Sequence, residues 1–209
     1  MVVVGEPLCN NDGMSEVELD STYVPDEGFE SFPLGSVQID LPGLLTIANV
    51  PVEGQSVSFR VDWIDGVGVR PTAITVTSTR GEEVTSTDLR NVNAKNLYRA
   101  AIVKHVTYQR MFLVDGEEWD GKIMRESPLR LPDDVLEKLR LQGPRYATLS
   151  YVVDMYMFAD SIGLAPALYV QQMFATEHLE PLPRTTATKW IKKARDMGLF
   201  EEWFEHGDD

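Results

Sequence analysis

The sequence predicts an α+β fold, a small antiparallel β-meander domain with a covering helix followed by an all-α helix-turn-helix domain. Two observations support this prediction. Apolar and polar residues alternate between residues 35 and 80, and apolar residues recur at helical spacing from residue 145 onward. Hydrophobic residues make up 43% of the 209 residues and charged residues 25%, which is typical of a globular protein.

Residues 1–33 are interpreted as an acidic leader that is disordered on its own. Residues 1–59 contain ten acidic side chains and no Lys or Arg, and Pro25 and several glycines interrupt any hydrophobic period. Such a stretch buries too little apolar surface to offset the entropy that ordering costs.

Residues 34–127 are predicted to form the sheet domain with its helix. Alternation over residues 57–63 (VSFRVDW) predicts a half-buried strand, and Asp65-Gly66 is a favoured hairpin turn. The β-branched run 72–79 (TAITVTST) predicts the strand that follows.

Shorter strands are expected over residues 36–40 and 45–50, with a break at Pro42-Gly43. A sheet with one apolar face needs a cover. The sequence predicts one in a helix capped by Asn93, with Leu97 and Ala101 on its apolar side.

Residues 128–144 are predicted to be a linker with a short helix from Asp133 to about Leu141, and Gly143-Pro144 is taken as the domain boundary. Residues 145–200 are predicted to hold the helix-turn-helix domain. Its first helix ends at Gly163, the second begins at Pro166 and the third runs from Pro183 to Gly198. Residues 201–209 are interpreted as an acidic tail.

Composition and the absence of several motifs exclude some classes of function. The single cysteine, Cys9, excludes an internal disulfide and favours a reducing compartment. No signal peptide or long apolar span is recognised, so a cytoplasmic location without a membrane partner is expected. The sequence contains no phosphate-binding loop, no nucleophile elbow and no pair of histidines at metal-ligand spacing. We therefore expect no cofactor, no metal and no enzymatic activity.

The predicted third helix is the most informative segment. On a helical wheel Ala187, Ile191 and Ala194 fall within a narrow apolar arc, with Trp190 and Met197 beside it. Residues 184–195 carry five basic side chains and no acid. A helix with a small apolar seam and an outer face of hydroxyls and cations suits the DNA major groove. A solvated basic face on an amphipathic surface helix accounts for the pattern equally well.

If the helix binds DNA, two sets of side chains are assigned. The residues predicted to face the bases are Arg184, Thr185, Thr188 and Lys189. The residues predicted to hold phosphates are Lys192, Lys193 and Arg195.

The segments YVVDMYMFAD, GLAPALYV and RTTATKWIKKARDMGLF resemble the C-terminal region of a family of actinobacterial and actinobacteriophage helix-turn-helix proteins. The matching positions are Pro166, Val170, Thr186, Ala187, Trp190, Ile191, Ala194, Arg195, Gly198 and Leu199. A second similarity covers residues 81–101 (GEEVTSTDLRNVNAKNLYRAA). The resemblance implies a helix-turn-helix DNA-binding domain acting in a bacterial or phage-infected host cell.

This chain departs from the family at the connection between the second and third helices. Residues 175–181 (ATEHLEP) lengthen it by roughly six residues, which costs little stability. The insertion also places Glu177 and Glu180 near the predicted DNA-binding face, where they would oppose phosphate.

Two functions are consistent with these observations. The first is a sequence-specific DNA-binding protein, a transcriptional regulator whose partner is double-stranded DNA and which forms a homodimer because such domains bind paired half-sites. The alternative is a protein-interaction or assembly factor that keeps the scaffold but no longer binds DNA, with a protein partner at the N-terminal domain or the acidic ends. The net charge of −14 and the lengthened connection favour the alternative.

Overall fold

The computed structural model describes residues 19–34, 37–48, 54–65, 67–108, 112–114, 117–119 and 131–201. The strands are β1 (Ser21–Leu34), β2 (Val37–Ala48), β3 (Gln55–Ile64), β4 (Gly68–Ser78), β5 (Thr107–Tyr108), β6 (Phe112–Val114) and β7 (Glu117–Trp119). The helices are α1 (Ser86–Asn91), α2 (Ala94–Ile102), α3 (Asp133–Gln142), α4 (Tyr146–Ser161), α5 (Pro166–Met173) and α6 (Arg184–Asp196), and a 3₁₀ turn follows α2 at Val103–His105. The mixed α+β class predicted from the sequence is confirmed.

Strands β1 to β4 form an antiparallel meander in chain order, and β5 pairs with β2. The side chains that alternate inward along β3 are fully buried, at 0% exposure for Val57 and 1% for Phe59. Ile64 pairs with Gly68 across the hairpin, where the Val67 amide donates to the Ile64 carbonyl at 2.9 Å. The predicted hairpin and both of its strands are therefore confirmed.

Two predictions for the N-terminal half are wrong. Residues 21–33 belong to β1 and not to a disordered leader, because backbone pairing with β2 orders a strand whose own composition is acidic. The predicted break at Pro42-Gly43 lies inside the continuous strand β2. Pro42 is tolerated there because it lies opposite the register shift of β1 between Pro25 and Glu30. At such a shift its missing backbone amide is not needed for a hydrogen bond to the neighbouring strand. The predicted leader residues 1–18 lie outside the described part.

Helix α2 covers the inner face of the sheet, as predicted. The Asn93 side chain accepts a hydrogen bond from the Asn96 amide at 3.3 Å and so caps the helix. Leu97 and Tyr98 are buried, and the Tyr98 ring meets the Phe59 ring edge-on at 5.9 Å between centroids. The apolar side of α2 therefore completes the core that the sheet alone leaves open.

Helix α3 begins and ends as predicted, but it does not behave as part of a linker. Val135, Leu136 and Leu139 are buried, and the Thr148 hydroxyl of α4 donates to the Leu139 carbonyl at 3.0 Å. Three inward apolar side chains give a helix a packed face. The Gly143-Pro144 turn consequently joins two packed helices. Helix α3 therefore belongs, with α4, α5 and α6, to one layer of packed helices, which we call the helical layer.

The sheet and the helical layer share one continuous core. They approach closely where β4 begins, because a Cβ on Gly68 would lie 2.7 Å from the Ser161 carbonyl oxygen at the end of α4. Arg70 donates a hydrogen bond to the same carbonyl. A cation suits this position because the C-terminal carbonyls of a helix carry partial negative charge.

Candidate nucleic-acid interface

Helix α6 is held by a buried seam. Ala187 and Ala194 are completely buried, and Trp190 and Ile191 are exposed by only 7% and 5%. The two alanines allow α6 to approach its neighbours closely. The apolar arc predicted from the helical wheel is confirmed, with Trp190 inside it.

Aromatic side chains connect this seam to the rest of the helical layer. Phe174, at the end of α5, packs edge-on against Tyr151 of α4 and against Trp190 of α6, with 5.4 Å between centroids in both contacts. Edge-to-face aromatic pairs stabilise a structure beyond the area that they bury. Phe174 therefore fixes α6 to α4.

All seven predicted site residues are exposed. At about 100° per residue, Thr185, Lys189 and Lys192 point within about 30° of the direction opposite the seam. Thr188 and Lys193 lie at the two margins of this outer face, about 70° from that direction. Arg184 and Arg195 lie on the flank beside Ile191, about 90° or more from it, so the seven side chains do not form a single patch of equivalent positions.

Intramolecular contacts divide the seven residues further. Lys193 donates through Nζ to the Pro144 carbonyl at 2.9 Å, and Arg195 donates to the Tyr156 hydroxyl at 3.0 Å. The Arg195 guanidinium also lies 5.3 Å from the Tyr156 ring centroid and 5.2 Å from that of Phe200. These two cations hold α6 to the helices around it.

The remaining side chains are less engaged. The Thr188 hydroxyl donates back to the Arg184 carbonyl at 2.8 Å. Of the seven side chains, four make no hydrogen bond or ion pair with the described residues, those of Arg184, Thr185, Lys189 and Lys192. They supply three cations and one hydroxyl for a partner outside the chain, and we call them the open set.

The lengthened connection between α5 and α6 is anchored on α3. The Glu177 amide donates to the Asp133 carboxylate at 3.0 Å, and the Thr176 hydroxyl donates to Glu137 at 3.2 Å. Arg140 donates to the Glu180 carbonyl from the same helix. This anchorage ties the backbone of the insertion to α3, and nothing in the local sequence indicated it.

Sequence reasoning also missed Asp196. This exposed carboxylate lies one turn beyond Lys192, and the same wheel places it within about 30° of the direction opposite the seam. The predicted helix already included Asp196, and the wheel drawn for the basic residues would have found it on the same face. The outer face of α6 therefore changes sign along its length, from basic at the N-terminus to acidic at the C-terminus.

Two features are absent from the described residues. No group of three or more His, Cys, Asp or Glu is placed to hold a metal ion. In the same part of the chain, every helix is too short or too polar to cross a membrane. Cys9 and the tail residues 202–209 lie outside the described residues.

The chain is thus a mixed α+β protein with an outward-facing basic helix on a helical scaffold. No protein-family model matches it, and no solved structure matches it. It is similar to Transposase B from transposon Tn554 of Staphylococcus aureus, in strain Mu50 and in strain N315. Each is 29% identical over 101 residues, which cover 48% of this chain and 15% of the relative. The similarity therefore concerns a small part of those much longer proteins.

Proposed function

We propose that this chain is a sequence-specific DNA-binding protein that regulates transcription, with α6 as the recognition helix of a helix-turn-helix. The open set carries the proposal, because Lys189 and Lys192 point away from the seam that fixes α6 and Arg184 is exposed at the start of the helix. A single helix fits the major groove of B-DNA, where side chains read base edges and nearby cations hold phosphates.

The contacts around α6 assign different roles to the candidate residues. Arg184, Thr185 and Lys189 lie toward the N-terminal half of the helix, which in this class of motif meets the bases. Lys192 lies farther along the same face and is placed for a phosphate. Lys193 and Arg195 mainly position the helix, since each already donates a hydrogen bond within the chain.

The partial similarity to a transposase supports DNA as the partner, because a transposase acts on DNA. The match covers only 15% of the relative, so the activity of the whole relative is not transferred to this chain. We accordingly assign binding, and not catalysis, to this chain. A homodimer is part of the proposal, since helix-turn-helix proteins commonly bind two half-sites about one helical turn apart.

The test is a charge reversal in the full-length protein. The variant Lys189→Glu/Lys192→Glu is compared with Arg90→Glu/Lys138→Glu, a matched control that reverses two exposed cations on α1 and α3. Both variants change the net charge equally. Binding to a labelled duplex of random sequence is followed by fluorescence anisotropy across a salt series.

The proposal expects binding at low salt whose logarithm falls linearly with the logarithm of salt concentration, by about 0.9 for each phosphate contacted. The α6 variant loses this binding, whereas the control keeps most of it. Selection from a random duplex pool then enriches a defined motif. Equal losses in both variants would show that only total charge matters, and absence of binding in the wild type would exclude DNA.

A second candidate function is docking to a basic protein partner. The net charge of −14 and the acidic end of the α6 face favour it. The same experiment separates the two functions. Asp196→Asn tightens DNA binding if phosphates approach α6, and it weakens docking if a basic partner does.

A further inference from the structure

A cavity of about 540 Å³ lies between β3 and β4 of the sheet, α2 and the turn that joins α4 to α5. It is remote in sequence from α6 and has no part in the function proposed above. Its volume falls within the range of small-molecule sites, about 300–1,000 Å³. Its walls combine an apolar surface with three cations.

The apolar surface comes from the inner face of the sheet. Ile74 stands beside Phe59 in the register of β3 and β4, yet Ile74 is 48% exposed whereas Phe59 is 1% exposed. The cavity accounts for this difference, because α2 covers Phe59 and leaves Ile74 open. Ala94 of α2 and Ile162 after α4 complete the apolar walls.

The cations are Arg70, Lys95 and Arg99, and no acidic residue is among the residues that line the cavity. Arg70 is partly engaged, since it donates to the Val69 and Ser161 carbonyls. Arg99 lies against the backbone of Gly163, where a Cβ would lie 2.9 Å from its guanidinium nitrogen. Within the described residues Arg99 makes no hydrogen bond or ion pair.

The two arginines are neighbours of like charge. Burial and the charge of Arg70 both lower the pKa of Arg99. The chain has a net charge of −14, yet within its described part no carboxylate lines this cavity. A bound anion would relieve this repulsion and satisfy the planar donors of Arg99.

We propose that this cavity binds a small organic anion, with an apolar body against Ile74 and Ala94 and an acidic head group at Arg99. A carboxylate, sulfonate or phosphate head fits the donors. The ligand would touch the sheet, α2 and the α4–α5 turn together.

A pair of fluorescent probes tests the proposal in the full-length protein. The anionic probe is 8-anilinonaphthalene-1-sulfonate, and the neutral probe is N-phenyl-1-naphthylamine, which has the same apolar body without the sulfonate. Each is titrated into the wild type, into Arg99→Met, and into Arg90→Met as a matched control at an exposed arginine of α1. Circular dichroism verifies that each variant is folded.

The expected result is one anionic probe per chain, bound at least ten times more weakly by Arg99→Met and unchanged in Arg90→Met. The neutral probe is expected to respond little to either substitution. Ala94→Phe, which fills the cavity without removing a charge, should abolish binding of both probes. If Arg99→Met is unfolded, Arg99→Gln and Ala94→Phe provide the same test.

Two results would overturn the proposal. One is equal affinity for the anionic probe in the wild type and Arg99→Met, which would place the probe elsewhere. The other is unchanged binding in a folded Ala94→Phe. Loss of DNA binding in the α6 variants has no bearing on either measurement, so the two proposals fail independently.

Discussion

The division of the α6 cations into engaged and open side chains is tested by replacing one of each kind with methionine. Arg195→Met removes a guanidinium that contacts Tyr156 and Phe200, and Lys192→Met removes an ammonium without such contacts. Methionine keeps an unbranched stem and good helix propensity, so each substitution removes mainly the charge and its donors.

The structure sets the expected magnitudes. Arg195 loses one hydrogen bond to a neutral hydroxyl, about 0.5–1.5 kcal/mol, and two exposed cation–π contacts of about 0.5 kcal/mol or more each. Solvent screening reduces this sum, so Arg195→Met should lower the free energy of unfolding by about 1–2 kcal/mol. Lys192→Met should remain within about 0.5 kcal/mol of the wild type, as expected for a surface position without partners.

DNA binding should respond in the opposite order. Lys192→Met should reduce the salt slope by about 1, the amount expected for one lost phosphate contact. Arg195→Met should change the slope by less than half as much. The assays are urea unfolding followed by circular dichroism, and anisotropy with a labelled duplex over the same salt series. Equal stability of the two variants, or a larger slope change for Arg195→Met, would refute the division.

Other parts of the fold give measurable outcomes of the same kind. Phe174→Ala should destabilise the protein by about 3–5 kcal/mol in urea unfolding, because it empties a fully buried site between two aromatic rings, and Phe174→Leu should cost clearly less. Thr85→Ala removes the N-cap of α1 and should cost about 1 kcal/mol. Hydrogen bonds from Thr85 lower the pKa of Asp88, so the stability that ionised Asp88 contributes is present at neutral pH and is lost as acid protonates the carboxylate. Asp88→Asn should remove this pH dependence of the free energy of unfolding, measured by unfolding at a series of acidic pH values. Burial lowers the pKa of His105, so on acidification the unfolded chain takes up a proton at this residue before the folded chain does. The free energy of unfolding should therefore fall as pH drops below about 6.5, and His105→Gln should flatten that part of the plot of stability against pH.

The periodic elements could be predicted from the sequence because their signals are local. The alternation in β3 and the apolar seam of α6 each depend on residues that lie close together in the sequence. The N-cap at Asn93 and the hairpin at Asp65 are also local choices of backbone chemistry. For these elements the tertiary structure agrees with the local preference.

The remaining features depend on partners far along the chain. Strand β1 is ordered by backbone bonds to β2, which an argument from acidic composition ignores. Lys193 and Arg195 are engaged by residues 49 and 39 positions away, so no helical wheel separates them from Lys189. Likewise, only the packing of α2 against the sheet brings Arg70 beside Arg99.

Strand β4 is an outer strand of the described sheet, and its chemistry bears on how copies of this chain behave at high concentration. An unpaired strand edge invites pairing with another molecule. Here Pro71 offers no amide, and the register shift beside it interrupts the edge near its start. The longest regular stretch left is 73–78, rich in β-branched residues. Pro71 thus shortens the regular edge that could pair with another molecule to residues 73–78.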